Sequence, residues 1–276
     1  MVKVLDLDEI FEKSIRDYVY KNVGKVKPEE IENNMPKLYE KFGDTKLKEL
    51  DGKTPNTYYK QFNIDELLAC LKLHIESGVI VSDFLCEAIV LSEDASNAII
   101  KELTSDEKEE YLVYLINMLA DIGGSIPSAR YLEFLLYDYP ETIRELATEE
   151  LSRCADDVKE QALKAYELAD ERVKACLVEI MSNMSIDDRV YNILIEEFTI
   201  NTDKTPQYAG YLAKYGDARA IPFLVERIEN EKINYSDFEE LRFAIEALGG
   251  EYESQRDFTA DKIYKKIKQQ KTNKSE

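Results

Sequence analysis

The 276-residue sequence has no tryptophan, one histidine and four cysteines. A single histidine, His74, leaves no His/His metal pair and no second imidazole for acid–base work. It follows Leu71 and Leu73 in an apolar stretch and is expected to be a packed or rim residue. Cys70, Cys86, Cys154 and Cys176 are scattered without Cys-x-x-Cys spacing, each in a helical apolar setting. They read as small buried hydrophobes, not as a disulfide framework or a metal cage. There is no secretory signal and no apolar run long enough to span a membrane, so a reducing cytoplasm is the expected compartment. The inventory assigns no catalytic, cofactor-binding or metal-binding residue.

Chain breakers are also scarce. Gly occurs 10 times and Pro 7 times, and no extended Val/Ile/Thr alternation marks a strand, so the expected class is all-α. Pro28, Pro55, Pro127, Pro140 and Pro206 each stand where a helical pattern begins, which suits a first turn whose N–H would be unpaired anyway. Thr54 and Thr205 precede two of them and add a capping hydroxyl. Pro36 and Pro222 fall inside their patterns, so those two helices are expected to start irregularly. Apolar periodicity places helices near 6–22, 28–42, 55–61, 64–77, 82–92, 95–103, 106–122, 127–138, 141–154, 156–168, 171–184, 187–199, 206–215, 218–229, 236–248 and 258–269. In the first of them Leu7, Ile10, Phe11, Ile15, Tyr18 and Val19 fall at helical spacing. Connections are short and no Pro/Gly/Ser-rich linker interrupts the chain, so one continuous body is expected: an N-terminal helical cap with a loop-rich segment over 1–62, continuous with a repeat region over 63–276.

The most informative stretch is 208–228, two amphipathic helical patterns broken only at Gly216-Asp217. Gly216 suits the left-handed residue that ends a helix, and Asp217 can cap the next one. A shift of thirty positions aligns 187–198 with 217–228. Asp187/Asp217, Arg189/Arg219, Leu194/Leu224 and Glu196/Glu226 are identical, and Val190/Ala220, Ile195/Val225 and Phe198/Ile228 are apolar in both copies. A fixed period with matches on one helical face marks stacked supersecondary units. The string Ala209-x-x-Leu212-x-x-x-Gly216-Asp217-x-Arg219-Ala220-Ile221-Pro222-x-Leu224 resembles the HEAT-like repeat, including the variant named after phycobilisome lyases. The resemblance implies a right-handed α-α superhelix, with 206–215 and 218–229 as one antiparallel hairpin. Leu212, Ile221, Leu224 and Ile228 are then expected in its core.

Residues 44–55 resemble an Asp-Thr-x-Leu-x-x-Leu-x-Gly-Lys-Thr-Pro element found in assorted bacterial proteins, some carrying helical repeats. Gly52-Lys53-Thr54 looks like the end of a phosphate-binding loop, but Leu47 occupies the place of the first glycine and no strand precedes it. Leu47 and Leu50 are expected to anchor a loop while Thr54 caps a helix.

Lys and Arg number 36 against 56 Asp and Glu, a net charge of −20, and the pI is about 4.6. That field disfavours general nucleic-acid binding and binding to anionic membranes. In segment 262–276, Lys262, Lys265, Lys266, Lys268, Lys271 and Lys274 stand against Glu276, which puts +5 there and −25 on the remainder. This end is expected to be solvated and frayed. Carboxylate pairs such as Glu196-Glu197, Asp156-Asp157 and Asp187-Asp188 read as solvated helix faces in so acidic a chain.

Two function classes follow. The first is a non-enzymatic scaffold whose stacked helices line an acidic groove for a basic protein or peptide, with Asn192, Glu196, Phe223, Glu226 and Arg227 as the residues facing it. The second is a helical-repeat enzyme or enzyme subunit, like the phycobilin lyases or the alkylpurine DNA glycosylases. A glycosylase would need a basic concave face and aromatic grips on a damaged base, and a lyase would need a pigment-binding partner. Lack of tryptophan and an acidic body favour the scaffold.

Overall fold

The computed structural model describes residues 2–21, 28–104, 107–124 and 126–273. Residues 22 and 106 of the expected helices, and Lys274 and Glu276 of the basic end, lie outside the described residues. Among the described residues every regular element is helical and none is a strand. Close contacts divide the chain into two compact units, Met1–Pro127 and Ser128–Glu276. The loop-rich segment of the cap expected over 1–62 is built into the first unit. Leu50, Tyr58 and Tyr59 are buried there, and the Lys3 backbone N–H donates to the Tyr58 hydroxyl at 3.0 Å.

The first unit holds α1 (Leu7–Lys21), α2 (Pro28–Gly43), α3 (Pro55–Tyr58, continued by a 3-10 turn to Gln61), α4 (Ile64–Ser77), α5 (Asp83–Val90), α6 (Ala95–Glu102) and α7 (Glu109–Ile122). Phe11, Tyr39, Phe42 and Phe84 join α1, α2 and α5 in one aromatic cluster, with centroids 5.0–5.3 Å apart for the closest pairs. Only the first half of α1 is held this way. Leu7 and Phe11 are buried, while Tyr18 and Val19, expected on the same apolar stripe, are exposed. α2 starts at Pro28, where its pattern does, and runs through Pro36 inside it to Gly43. α4 shows why the boundaries were legible: Asn63 Oδ1 accepts from the Glu66 N–H at 3.0 Å and Glu66 Oε2 accepts from the Asn63 N–H at 3.1 Å, a reciprocal cap.

The second unit holds α8 (Ser128–Leu136), α9 (Glu141–Arg153), α10 (Lys159–Tyr166), α11 (Glu171–Met181), α12 (Asp188–Ile200), α13 (Thr205–Tyr215), α14 (Ile221–Ile228), α15 (Tyr235–Ala247) and α16 (Lys262–Asn273). Packing pairs α8 with α9, α10 with α11, α12 with α13 and α14 with α15, while α9, α11, α13 and α15 also pack one on the next. This corrects the phase of the expected hairpin. α13 takes its principal contacts from α12 and α15, and α14 packs on α15. The Gly216–Asp217 turn therefore steps between hairpins and does not close one. Its mechanism stands: Gly216 has φ 79° at the end of α13, and Gly249, with φ 83°, follows α15 in the same way. Leu212, Leu224 and Ile228 are buried as expected, and Ile221 is half-buried. Pro222 is the second residue of α14, behind a 3-10 turn over Ala218–Ala220, the irregular start expected for it.

The thirty-residue identities have a physical basis. Asp187 Oδ1 caps the Arg189 N–H at 2.9 Å, and Asp217 Oδ1 caps the Arg219 N–H at 3.0 Å. Each arginine then reaches back one hairpin: Arg189 to Glu160 at 2.8 Å, Arg219 to Asp188 at 2.8 Å. Arg219 also lies over the Tyr191 ring, 4.3 Å from its centroid.

These carboxylates should leave an acid signature. Hydrogen bonds from Arg189 hold Asp187 down to about 2, and the Ser185 hydroxyl and backbone N–H hold Asp156 down to about 2. Because their folded values lie below the ordinary 3.8, the stability they contribute is present above about pH 4 and is lost as pH falls towards 2. Burial raises Glu150 and Asp237, which act with the opposite sign, so the test is a difference. In urea unfolding the gap in stability between the parent and Asp187→Asn should be open at about pH 5 and close towards pH 2. A gap independent of pH would contradict the cap.

Candidate functional site

The residues that the sequence offers for binding fall on α12 and α14. Asn192 and Glu196 of α12 are exposed, as are Glu226 and Phe223 of α14, the last at 38%. Arg227 differs: it is committed internally. Its guanidinium donates to the Phe198 and Thr199 carbonyls, both at 3.0 Å, and to Thr205 Oγ1 at 3.0 Å, and it lies 4.8 Å from the Phe198 ring centroid. It satisfies carbonyls that the end of α12 leaves open, and burial pulls its pKa down. The Glu196-Glu197 pair also splits. Glu197, only 3% exposed, accepts from the Tyr166 hydroxyl and from Asn201 Nδ2 at 2.8 Å, which ties α10 to α12.

Gly52-Lys53-Thr54 is a turn and a cap. The Leu47 N–H donates to the Lys53 carbonyl at 3.0 Å, the Gly52 N–H returns to Leu47 at 2.8 Å, and Leu50 is fully buried beneath them. The Thr54 N–H donates to Thr57 Oγ1 at 3.3 Å at the start of α3. Nothing in this arrangement forms a phosphate cradle.

Cys70 and His74, one turn apart on α4, resemble a nucleophile and its base, with Sγ 3.5 Å from Nδ1. The hydrogen bonds rule the pairing out. Nδ1 lies 2.8 Å from the Cys70 carbonyl, which can only accept, so Nδ1 carries the proton and cannot take one from the thiol. Nε2 lies 3.3 Å from both the Leu5 N–H, from which it can accept, and the Leu5 carbonyl. Burial pushes the Cys70 thiol up to about 12, against thiolate formation. This buried histidine holds residues 3–5 against α4.

The cavity that combines size with convergent polar groups lies in the second unit, where α9, α11 and the start of α13 lie side by side. Its volume is about 640 Å³, within the range of small-ligand sites. α9 contributes Glu141, Arg144, Glu145 and Thr148, at spacings that put them on one helical face. α11 contributes Glu171 and Arg172 at its first turn, then Ala175 and Cys176, whose small side chains leave the room, and Glu179 beyond. Lys204 and Gln207 close the third side.

The rim is acidic. Glu141 and Glu145 are exposed and form no ion pair among the described residues, while Glu179 accepts from the Tyr211 hydroxyl at 3.1 Å. Of the three lining cations, Arg172 sits 3.7 Å from Asp138, Arg144 is only 8% exposed and Lys204 is exposed on the third side, against four lining glutamates. Sequence reading missed this site. The available signal was Arg144 and Thr148, polar residues one position after Ile143 and Ala147 of the buried stripe.

Compared with known proteins, the chain matches no family model, and no curated protein or solved structure matches it significantly. The likeness to HEAT repeats therefore rests on the residues themselves.

Proposed function

We propose that the second unit is a right-handed solenoid of HEAT-like hairpins that serves as a non-enzymatic adaptor in the cytoplasm, holding a positively charged polypeptide segment in the groove across α9, α11 and α13. The observation that carries this reading is the groove itself: about 640 Å³ spanning the alternate helices α9, α11 and α13, with Glu141 and Glu145 exposed along its edge. A segment laid across three stacked helices meets equivalent positions of successive hairpins, which is how helical repeats read extended ligands. The charge of −20 supports a basic partner over an acidic one and draws it in from solution. Among the described residues no helix is long and apolar enough to cross a membrane.

The test is fluorescence anisotropy with a labelled lysine-rich peptide. Glu141→Lys combined with Glu145→Lys should weaken binding about tenfold and flatten its salt dependence, because rim charges act through a screened field. Glu196→Lys combined with Glu226→Lys, on α12 and α14, should change affinity by less than about twofold. The reverse ordering would move the site to the α12/α14 face and overturn the groove.

A further inference from the structure

The groove between α9, α11 and α13 has a cationic floor beneath its acidic rim, and the floor is incomplete. Arg144 is 8% exposed. Its guanidinium donates to the Tyr139 carbonyl and forms no other hydrogen bond or ion pair among the described residues. Most of the side chain is covered, yet four of its five N–H donors have no protein partner and open onto the groove, where a bound anion can meet them. The position is itself fixed: the Arg144 carbonyl accepts from Thr148 Oγ1 at 2.8 Å, and Ile143 and Ala147 beside it are fully buried. A guanidinium held so, at the wall of an open cavity, matches one class of group above others, a carboxylate that takes two parallel N–H bonds.

The rim limits what can carry that carboxylate. Glu141 and Glu145 stand three residues before and one after Arg144 on the same helix, so a ligand reaching Arg144 passes close to two negative charges. An acidic side chain in mid-segment would need backbone running past those carboxylates in both directions, whereas a chain end enters once. We propose that the groove captures the C-terminal end of a polypeptide, the terminal carboxylate on Arg144 and a lysine or arginine side chain of the last few residues on Glu141 or Glu145. This rests on the peptide-binding reading above and names the part of the peptide that is read.

The experiment compares acetyl-Lys-Ala-Lys-Ala bearing a free C-terminal carboxylate with the same peptide amidated, titrated into the full-length protein while the Arg144 Nε–Hε resonance is followed by NMR. The free acid should shift that resonance and bind at least about tenfold more tightly than the amide, as expected for hydrogen bonds between charged groups. In Arg144→Met the two peptides should bind equally, and Arg144→Lys, which keeps the charge without the fork, should restore part of the preference. Equal binding of acid and amide to the parent protein, abolished by the Glu141/Glu145 reversal, would overturn carboxylate capture while leaving the peptide groove standing. If neither peptide binds, both this inference and the reading beneath it fail.

Discussion

Above pH 10 the protein should lose its fold in a steep, cooperative transition, earlier than its helix content alone would suggest. The cause is its tyrosines, 18 in all. Tyr59, Tyr111 and Tyr131 are each 1% exposed, and burial is the main reason their hydroxyls titrate above the ordinary 10. Tyr208 is pushed up to about 12, again chiefly by burial, with Glu197 adding to it. Burial also pushes the Cys70 thiol to about 12 and the Cys86 thiol to about 11, from an ordinary 9. All these groups have folded values above their unfolded ones. The stability tied to them is therefore complete below about pH 9 to 10 and is lost as pH climbs towards the folded values.

One pH unit above the unfolded value, each such group costs about 1.4 kcal/mol. Three buried tyrosines alone then remove about 4 kcal/mol, against a total stability of about 5–15 kcal/mol for a typical protein. Without tryptophan the ultraviolet signal of tyrosinate is clean, so its absorbance and far-UV circular dichroism can be followed together. The share of the absorbance change that comes from the buried tyrosines should appear together with the loss of helix. Gradual ionisation of all tyrosines near pH 10 with helix content intact would contradict the burial described for them.

Leu224→Ala should destabilise the protein by about 2–5 kcal/mol, the range for deleting most of a buried leucine and leaving its cavity. Leu224 is fully buried on α14, whose partner is α15, and Ile228 one turn on is equally inaccessible. Gly250 limits relaxation there, since even a Cβ at that residue would lie 2.8 Å from Ile245 and 3.2 Å from Ile221. Asp217→Ala removes a cap and one partner of Arg219, while the Asp188 pair remains; it should cost about 1–2 kcal/mol. Denaturant midpoints with unchanged slopes would give both values. If Asp217→Ala proved the more damaging, the stripe on α14 would not be the core of its hairpin.

The helices were legible because their ends are written locally. Asn63 with Glu66, Asp170 with Val173 and Asn234 with Asp237 cap their helices through residues three apart, within reach of sequence reasoning. α16 shows the limit: a start at 258 was expected, but Phe258 is buried in the connection and the helix begins at Lys262, behind Asp261, which accepts from the Ile263 and Tyr264 N–H groups. Periodicity shows which face of a helix is covered without showing what covers it. For that reason the sequence marks Gly216-Asp217 as a turn but pairs α14 with α13, when its partner is α15. The same gap hid Arg227, whose partners lie 22 to 29 residues away, and the groove, whose lining comes from three helices spread over 141–207.

Hydrogen–deuterium exchange on the full chain, with and without acetyl-Lys-Ala-Lys-Ala at saturation, tests the location of the binding site most directly. Slower exchange is expected in 141–148, 171–179 and 204–207, with α12 and α14 unchanged. Protection confined to α12 and α14, around Glu196 and Glu226, would contradict the groove and move the site to those two helices.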